Sequence, residues 1–350
     1  MVSRLKKAFI KSESGIDILK FKIKEKLKLN NPVFIYPYRG FGTSELVHLH
    51  GRILEKEDII HEPSDLPDTT WTNLKKVWKR YESDEVPGVE VKGLLYGVEA
   101  SAVSDDEGYF TLRFTNLDPT KLTNGWHTVD LKITDMPFDI EFIETATAEV
   151  VISDQQKKFG IISDIDDTII QSDILKPLKM ISNVLFKNAK KRIPFEGVQE
   201  LYKRLSCNYL HPLLFVSGSS YNLFDMLTNF CEHHGIPKAP FIMRDLGFGP
   251  DQWLKQDSQE YKKQSIELIL NIFPNLNFVL IGDSGEKDPE IYLDIHECYP
   301  GRVMAIYIRH VHSDLRRNEI DERVKGLDIP FLLMQSSQEA IDHAAKVGWI

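Results

Sequence analysis

The chain has 350 residues, 42% hydrophobic and 27% charged, with a net charge of −9. That length suits two ordinary domains, and the composition is that of a globular protein rather than a disordered or fibrous one. The negative balance argues against a nucleic-acid partner bound through the general field, so a site for an anionic substrate must be locally basic. The three cysteines, Cys207, Cys231 and Cys298, have neither C-x-x-C nor zinc spacing, which points to a reducing, cytoplasmic setting. No run of 18 apolar residues occurs, and the N-terminus has too brief an apolar stretch for a signal peptide.

Residues 1–30 hold nine Lys or Arg against three acidic residues. Two readings fit this basic arm. Alternation at Lys20-Phe21-Lys22-Ile23-Lys24 suits an edge strand with a lysine face. Helical spacing of Ile16, Leu19, Ile23 and Leu27 suits a segment lying on a membrane surface, and so peripheral membrane contact. Residues 31–150 read as a β-rich accessory domain, a small sandwich. Strands are predicted at Val33–Tyr36, Val47–Ile53, Val89–Val91, Tyr109–Phe114, His127–Ile133 and Ala146–Ile152, with a hairpin turn at Ser104–Gly108. One helix is predicted where Trp71, Leu74, Val77 and Tyr81 share a face. His48 and His50, two apart on one strand, have the spacing of a metal pair but no third ligand nearby in sequence, so ordinary strand histidines are the simpler reading.

From residue 151 the texture changes to the βαβ rhythm of a doubly wound parallel sheet. Strands are predicted at 159–163, Pro212–Val216, Phe241–Met243, Phe278–Ile281 and Val303–Ile308. Helices are predicted within 173–205 and at Tyr221–His233 and Tyr261–Phe273. The stripe Leu178, Ile181, Val184 and Leu185 fits packing on the sheet, with a lid or lipid-facing helix as the alternative. Neither a dinucleotide fingerprint nor a P-loop follows any strand.

What the strand ends deliver is the chemistry. The apolar run Phe159–Ile162 ends in Asp164, Asp166, Asp167 and Thr168. Carboxylates crowded at the tip of a buried strand call for neutralisation, and a divalent cation is the natural candidate. Asp164 and Asp166, at i and i+2 of an extended segment, can converge on one phosphoryl group. The second strand delivers Ser217-Gly218-Ser219, a hydroxyl and backbone N–H groups suited to a phosphoryl oxygen. A later strand delivers Gly282-Asp283-Ser284, followed by Asp288. Lys262 opens an amphipathic helix and can neutralise nucleophile and phosphate, with Lys263 beside it as the alternative. Arg244 and Arg309 are further strand-tip cations, read as contacts to a substrate phosphate or headgroup, or as plain salt bridges.

The ordered set D-x-D-x-T, hydrophobic-Ser, Lys and G-D-S-x-x-x-D resembles the four motifs of the haloacid dehalogenase superfamily. Asp164-Ile-Asp-Asp-Thr-Ile169, Asn188-Ala189 with Arg192-Ile-Pro-Phe195, and Gly282–Gly285 with Asp288–Tyr292 are similar to the Mg²⁺-dependent phosphatidate phosphatases of the actin-patch-protein type. Upstream, Pro37–Gly42 and Glu82–Gly88 resemble that family's β-region. One departure is Ser217–Tyr221, which lacks the proline expected before the aromatic residue.

The resemblance implies a haloacid-dehalogenase-like phosphatase domain over 151–350 and hydrolysis through an aspartyl-phosphate. Phosphatidate, giving diacylglycerol and phosphate, is the first substrate expected; soluble phosphoesters or phosphoproteins are the alternative. A catalytically silent phospholipid- or protein-binding module is the rival from another class. By the same resemblance Asp164 is nucleophile and Asp166 acid/base, and Thr168 orders the loop. Ser217, Gly218 and Lys262 hold phosphate, and Mg²⁺ belongs to Asp164, Asp166 (through its backbone carbonyl), Asp283 and Asp288.

Overall fold

A computed structural model describes residues 31–55, 86–153, 159–169, 194–207, 210–245, 258–311 and 314–350. The basic arm, the Trp71–Tyr81 helix, the apolar stripe at 178–185 and motif residues Asn188, Ala189 and Arg192 lie outside the described residues.

Two sheets make up the described chain. The first has eight strands: β1 (Val33–Pro37), β2 (Gly40–Gly42), β3 (Leu46–Glu55), β4 (Glu90–Leu95), β5 (Val98–Val103), β6 (Tyr109–Thr115), β7 (Gly125–Asp135) and β8 (Thr145–Ile152). Its pairings are antiparallel except for β2 against β8. Alternate side chains of β4, β6 and β7 are buried, and Val91, Phe110, Leu112, Phe114, Val129 and Leu131 share one apolar core. The turn at 104–108 differs from the expected hairpin. Asp105 accepts from the Glu107 and Tyr109 amides, and Gly108 takes a positive φ of 77°, so the turn forms. Yet β5 pairs with β4, and β6 crosses to β3. The Ser104 hydroxyl, bonded to the Val86 carbonyl and the Val89 amide, ties the end of β5 to the segment leading into β4.

The second sheet has six parallel strands in the order β11-β10-β9-β12-β13-β14. They are β9 (Gly160–Ser163), β10 (Leu213–Ser220), β11 (Phe241–Arg244), β12 (Phe278–Asp283), β13 (Val303–Arg309) and β14 (Phe331–Met334). Helices α1 (Val198–Ser206), α2 (Phe224–His233), α3 (Ser258–Ile272), α4 (Asp288–Cys298), α5 (Asp314–Arg323) and α6 (Ser337–Lys346) alternate with these strands. On one face Ile161, Phe215 and Ile281 pack against Leu201, Leu227 and Ile341 of α1, α2 and α6. On the other, Ile162, Leu214 and Leu280 meet Ile266 and Ile269 of α3 and Tyr292 of α4. Burial on both faces explains why these strands read as continuous apolar runs rather than alternating ones; each fully buried Ile or Leu contributes roughly 1.5–3 kcal/mol. The chain runs outward from β9 to β11, then returns to place β12 on the other side of β9. Ligands of open parallel sheets bind at such a reversal, outside the carboxyl ends of the strands.

The first sheet is not independent of the second. Tyr38 and Tyr109 belong to the core on one face of the parallel sheet, and Phe41 and Val151 belong to the core on the other.

Candidate active site

At the reversal, β9 and β12 lie side by side with Ser163 opposite Ile281. Asp164 follows β9 directly, anchored by its amide to the Ile281 carbonyl, and Asp283 ends β12. Asp288 opens α4, with Pro289 in the first helical turn, where proline is pre-organised and costs no hydrogen bond. Its Oδ2 accepts from the Asp283 amide. Gly282 is required here because a Cβ would come within 2.3 Å of that same oxygen.

Ligand oxygens of Asp164, Asp283 and Asp288 lie within 4.8 Å of one another, and all three residues are buried. Asp283 Oδ1 is bound by the Gly285 and Glu286 amides at 2.6 and 3.0 Å. Asp283 Oδ2 and Asp164 Oδ2 are buried without a hydrogen-bond partner. Two orphaned carboxylate oxygens beside a third carboxylate form an oxygen-only donor set, which suits a hard divalent cation. Mg²⁺ therefore fits these residues.

Lys262 reaches into the cluster from the first turns of α3, its side chain 2% exposed. Its ammonium lies 2.9 Å from Asp164 Oδ1, off hydrogen-bond direction, and bonds to Asp288 and to Glu286 at 3.1 Å. Lys263 instead pairs with Asp294 near the surface. One lysine does not balance this many acids. Burial first, then the neighbouring Asp288 and Glu286 charges, raise the Asp283 carboxyl to about 8. Burial also raises Asp164 and Asp288, against the pull of Lys262. For Lys262 itself burial opposes the charge, but Asp164, Asp288 and Glu286 outweigh it and hold the ammonium protonated.

Asp166 faces a different set of groups. Its Oδ2 accepts from the hydroxyls of Ser217 and Ser219 at 3.2 and 3.1 Å, so its carboxylate is not part of the three-acid cluster. Burial, then the Glu286 charge, raise it against these hydrogen bonds. The two serines reach it through an irregularity in the ladder. Phe215 and Val216 pair with Phe241 and Ile242, but the next paired residue on β10 is Ser220, opposite Arg244. Residues 217–219 thus stand clear of the ladder, as bulged strands do beside functional sites. Gly218 sits so close to α3 that a Cβ would be 2.9 Å from Ser258 Oγ.

Thr168 is fully buried, in a loop where Asp167 takes a φ of 52°, a conformation aspartate tolerates. Arg309 is not a substrate-facing cation. Its Nε donates to the Thr168 carbonyl at 3.0 Å and its Nη2 to Ser337 Oγ at 2.9 Å, with the guanidinium 4.2 Å over the Phe195 ring. It is 2% exposed and braces the aspartate loop from behind. Arg244 ends β11, half-buried, beside the Ser217–Ser219 segment. His48 packs on Phe41, and His50 stacks on Tyr38 and Tyr109 and bonds to Thr111. Neither belongs to a metal cluster among the described residues.

Glu286 and Ser163 escaped the sequence reading, and Ser219, named there with Ser217, was given no role of its own. Ser219 sits in the same triplet as Ser217. Glu286 lies between Asp283 and Asp288. Ser163, whose hydroxyl donates to the Asp164 carbonyl and pairs with Tyr202, looked like ordinary strand.

Residues 159–310 match the family described as phosphatidate phosphatase APP1, catalytic domain. The match covers 152 of the chain's 350 residues. Phosphatidate phosphatase APP1 of Saccharomyces cerevisiae is 32% identical over 152 residues, 43% of this chain and 25% of its own. An uncharacterised protein of Schizosaccharomyces pombe is 27% identical over 217 residues, 62% of this chain and 35% of its own. The chain thus spans a quarter to about a third of the length of these curated relatives. Among solved structures, a Lactobacillus rhamnosus β-glucuronidase aligns with 90% of the chain and 52% of its own at 11% identity. Its TM-score of 0.21 is too low to bear on the fold.

Proposed function

We propose that the chain is a Mg²⁺-dependent phosphoric monoester hydrolase of haloacid-dehalogenase-like fold that hydrolyses phosphatidate to diacylglycerol and phosphate. In this reading residues 1–30 form a basic arm, 31–150 an accessory β-domain and 151–350 the phosphatase domain. The observation that carries the chemistry is the cluster of Asp164, Asp283 and Asp288, with two orphaned carboxylate oxygens and a buried lysine, inside a segment that matches the APP1 catalytic domain.

Asp164 attacks phosphorus in line, breaking the bond to the alcohol oxygen and forming an aspartyl-phosphate. Asp166, whose carboxyl is raised above its ordinary range by burial and the nearby Glu286 charge, donates a proton to the leaving alkoxide, then takes one from the water that cleaves the intermediate. Ser217 and Ser219 fix the Asp166 carboxyl. Lys262 supplies positive charge beside Asp164, where the transferring phosphoryl oxygens gather. Asp164, Asp283, the Asp166 carbonyl and Asp288 would hold Mg²⁺, which offsets charge on the equatorial oxygens.

Phosphatidate as substrate is supported by the family described for residues 159–310. No helix among the described residues is long and apolar enough to cross a membrane; the lysine-rich composition of residues 1–30 is what supports peripheral contact with an anionic lipid surface. The test is phosphate release from phosphatidate in mixed micelles beside a panel of soluble phosphoesters, with Mg²⁺ or a chelator. Release from phosphatidate that chelation and Asp164→Asn both abolish is expected. Release from soluble esters alone would remove the substrate and keep the chemistry.

A further inference from the structure

The first sheet has a second role that the phosphatase reading leaves unassigned. Residues 217–219 are held by no ladder of their own, since the pairing of β10 with β11 skips from Val216 to Ser220. One end of the segment is fixed at Val216, which pairs with Ile242 in the parallel sheet. The other end continues through Ser220, which caps the short turn Tyr221–Leu223 by accepting from the Asn222 amide. That turn is bound to the other sheet.

Arg52 on β3 is 2% exposed and donates to Asn222 Oδ1 at 3.0 Å, within the protein interior. Its Nε donates to the Glu107 carbonyl at 2.9 Å, and its guanidinium lies 4.4 Å over the Tyr109 ring. Tyr38 stacks on Tyr221 with ring centroids 4.1 Å apart. A buried arginine is expensive unless it is fully bonded, and this one directs a bond at the residue three past the end of the unpaired segment. Ser217 and Ser219, within that segment, both hold Asp166.

We propose that Arg52 is a positioning residue. Through Asn222 it clamps the far end of the serine segment, so the first sheet sets where Ser217 and Ser219 hold Asp166. The inference deepens the phosphatase reading and rests on it for its kinetic consequence, though not for its structural one. Loss of the clamp leaves Asp164, Lys262 and the acidic cluster untouched and misplaces the Asp166 carboxyl. Misplacement of a reacting group by about 1 Å costs on the order of 10²-fold in rate.

The test uses the full chain with Arg52→Met and, because that change empties a buried site, Asn222→Ala as a second variant that removes only the acceptor. Arg39→Ala is the control. Arg39 also links the first sheet to α2, through Glu232, but touches nothing in the serine segment among the contacts described. Hydrogen exchange is read at the amides of 217–222 and of β12. Steady-state kinetics are read on phosphatidate and on a soluble aryl phosphate.

We expect exchange at 217–222 to rise at least about tenfold in both variants, with β12 unchanged. We expect kcat to fall about 10- to 100-fold, with the Mg²⁺ concentration for half-activation within about twofold of the parent. In a Ser217→Ala, Ser219→Ala background, Arg52→Met should cost less than about threefold more, because the serines through which it acts are gone. Arg39→Ala should match the parent. Unchanged exchange at 217–222, or a kcat loss that multiplies in full with the serine changes, would overturn the proposal. If the parent releases phosphate from no ester, the phosphatase reading fails, and the exchange result alone then decides the clamp.

Discussion

Replacing Asp283 by asparagine should make the metal-free protein more stable while removing its response to Mg²⁺. Asp283 is fully buried, with Oδ2 orphaned and its carboxyl raised from 3.8 to about 8, chiefly by burial. A carboxyl raised in the folded state binds its proton more tightly there than in the unfolded chain. Folding stability from this group is therefore intact near pH 4 and is lost as pH rises towards 8. At about 1.36 kcal/mol per pKa unit, the penalty carried by Asp283 is about 4 kcal/mol at pH 7 and about 2 kcal/mol at pH 5. Asparagine carries none of it and keeps the Oδ1 that accepts from Gly285 and Glu286. Urea unfolding in chelator should then show Asp283→Asn more stable than the parent by about 2–4 kcal/mol at pH 7, with the gain shrinking towards pH 5. Added Mg²⁺ should stabilise the parent, by about 2.7 kcal/mol at a hundred times its dissociation constant, and leave the variant unmoved. A variant less stable than the parent in chelator at pH 7, or a gain that grows as pH falls, would refute the reasoning.

Two further outcomes follow from the same geometry. Lys262→Met should lower phosphate release by about 10²–10³-fold, since it removes a buried charge aimed at the reacting centre. Lys263→Met, which breaks only a surface pair with Asp294, should stay within about threefold, as exposed pairs contribute little; equal losses would contradict the assignment. Burial, with help from His50 and Arg113, pushes the His48 ring down to about 3. The unfolded chain protonates this histidine below about 6.5 while the folded chain does not, so the stability it contributes above that pH is lost as pH falls. A Tm series from pH 7 to 5 should fall less steeply for His48→Gln, by about 1–2 kcal/mol at pH 5; parallel slopes would refute this.

Strands β9 to β13 were legible because they are apolar runs, and their ends deliver the residues that matter; β14, only partly buried, was not read. Asp164, Asp283 and Asp288 could be picked out because carboxylates at buried strand ends have few structural uses. The choice between Lys262 and Lys263 lay in the helix period. Lys262, Ile266, Ile269 and Leu270 share the buried face of α3, and Lys263 does not. Less of the first sheet could be read. β2 is a Gly-Phe-Gly triplet, and β5 alternates small residues with polar ones, so neither has the apolar signal of a strand. α5 carries many charges and little apolar surface, which hides the 3.6-residue period. Arg309 was visible as a strand-tip cation, but its role was not. The carbonyl that it binds is 141 residues away, and the bond between Arg52 and Asn222 spans 170. Such contacts depend on how the sheets pack, which no local pattern encodes.

If Asp164 carries the phosphoryl group, the covalent intermediate can be trapped on it. Phosphatidate labelled in its phosphate would be mixed with the protein and Mg²⁺, quenched in acid within one turnover and digested. Label is expected on the peptide containing Asp164, discharged by hydroxylamine and absent in Asp164→Asn. Burst-free release of phosphate, with no label on that peptide at any quench time and with activity retained in Asp164→Asn, would contradict it.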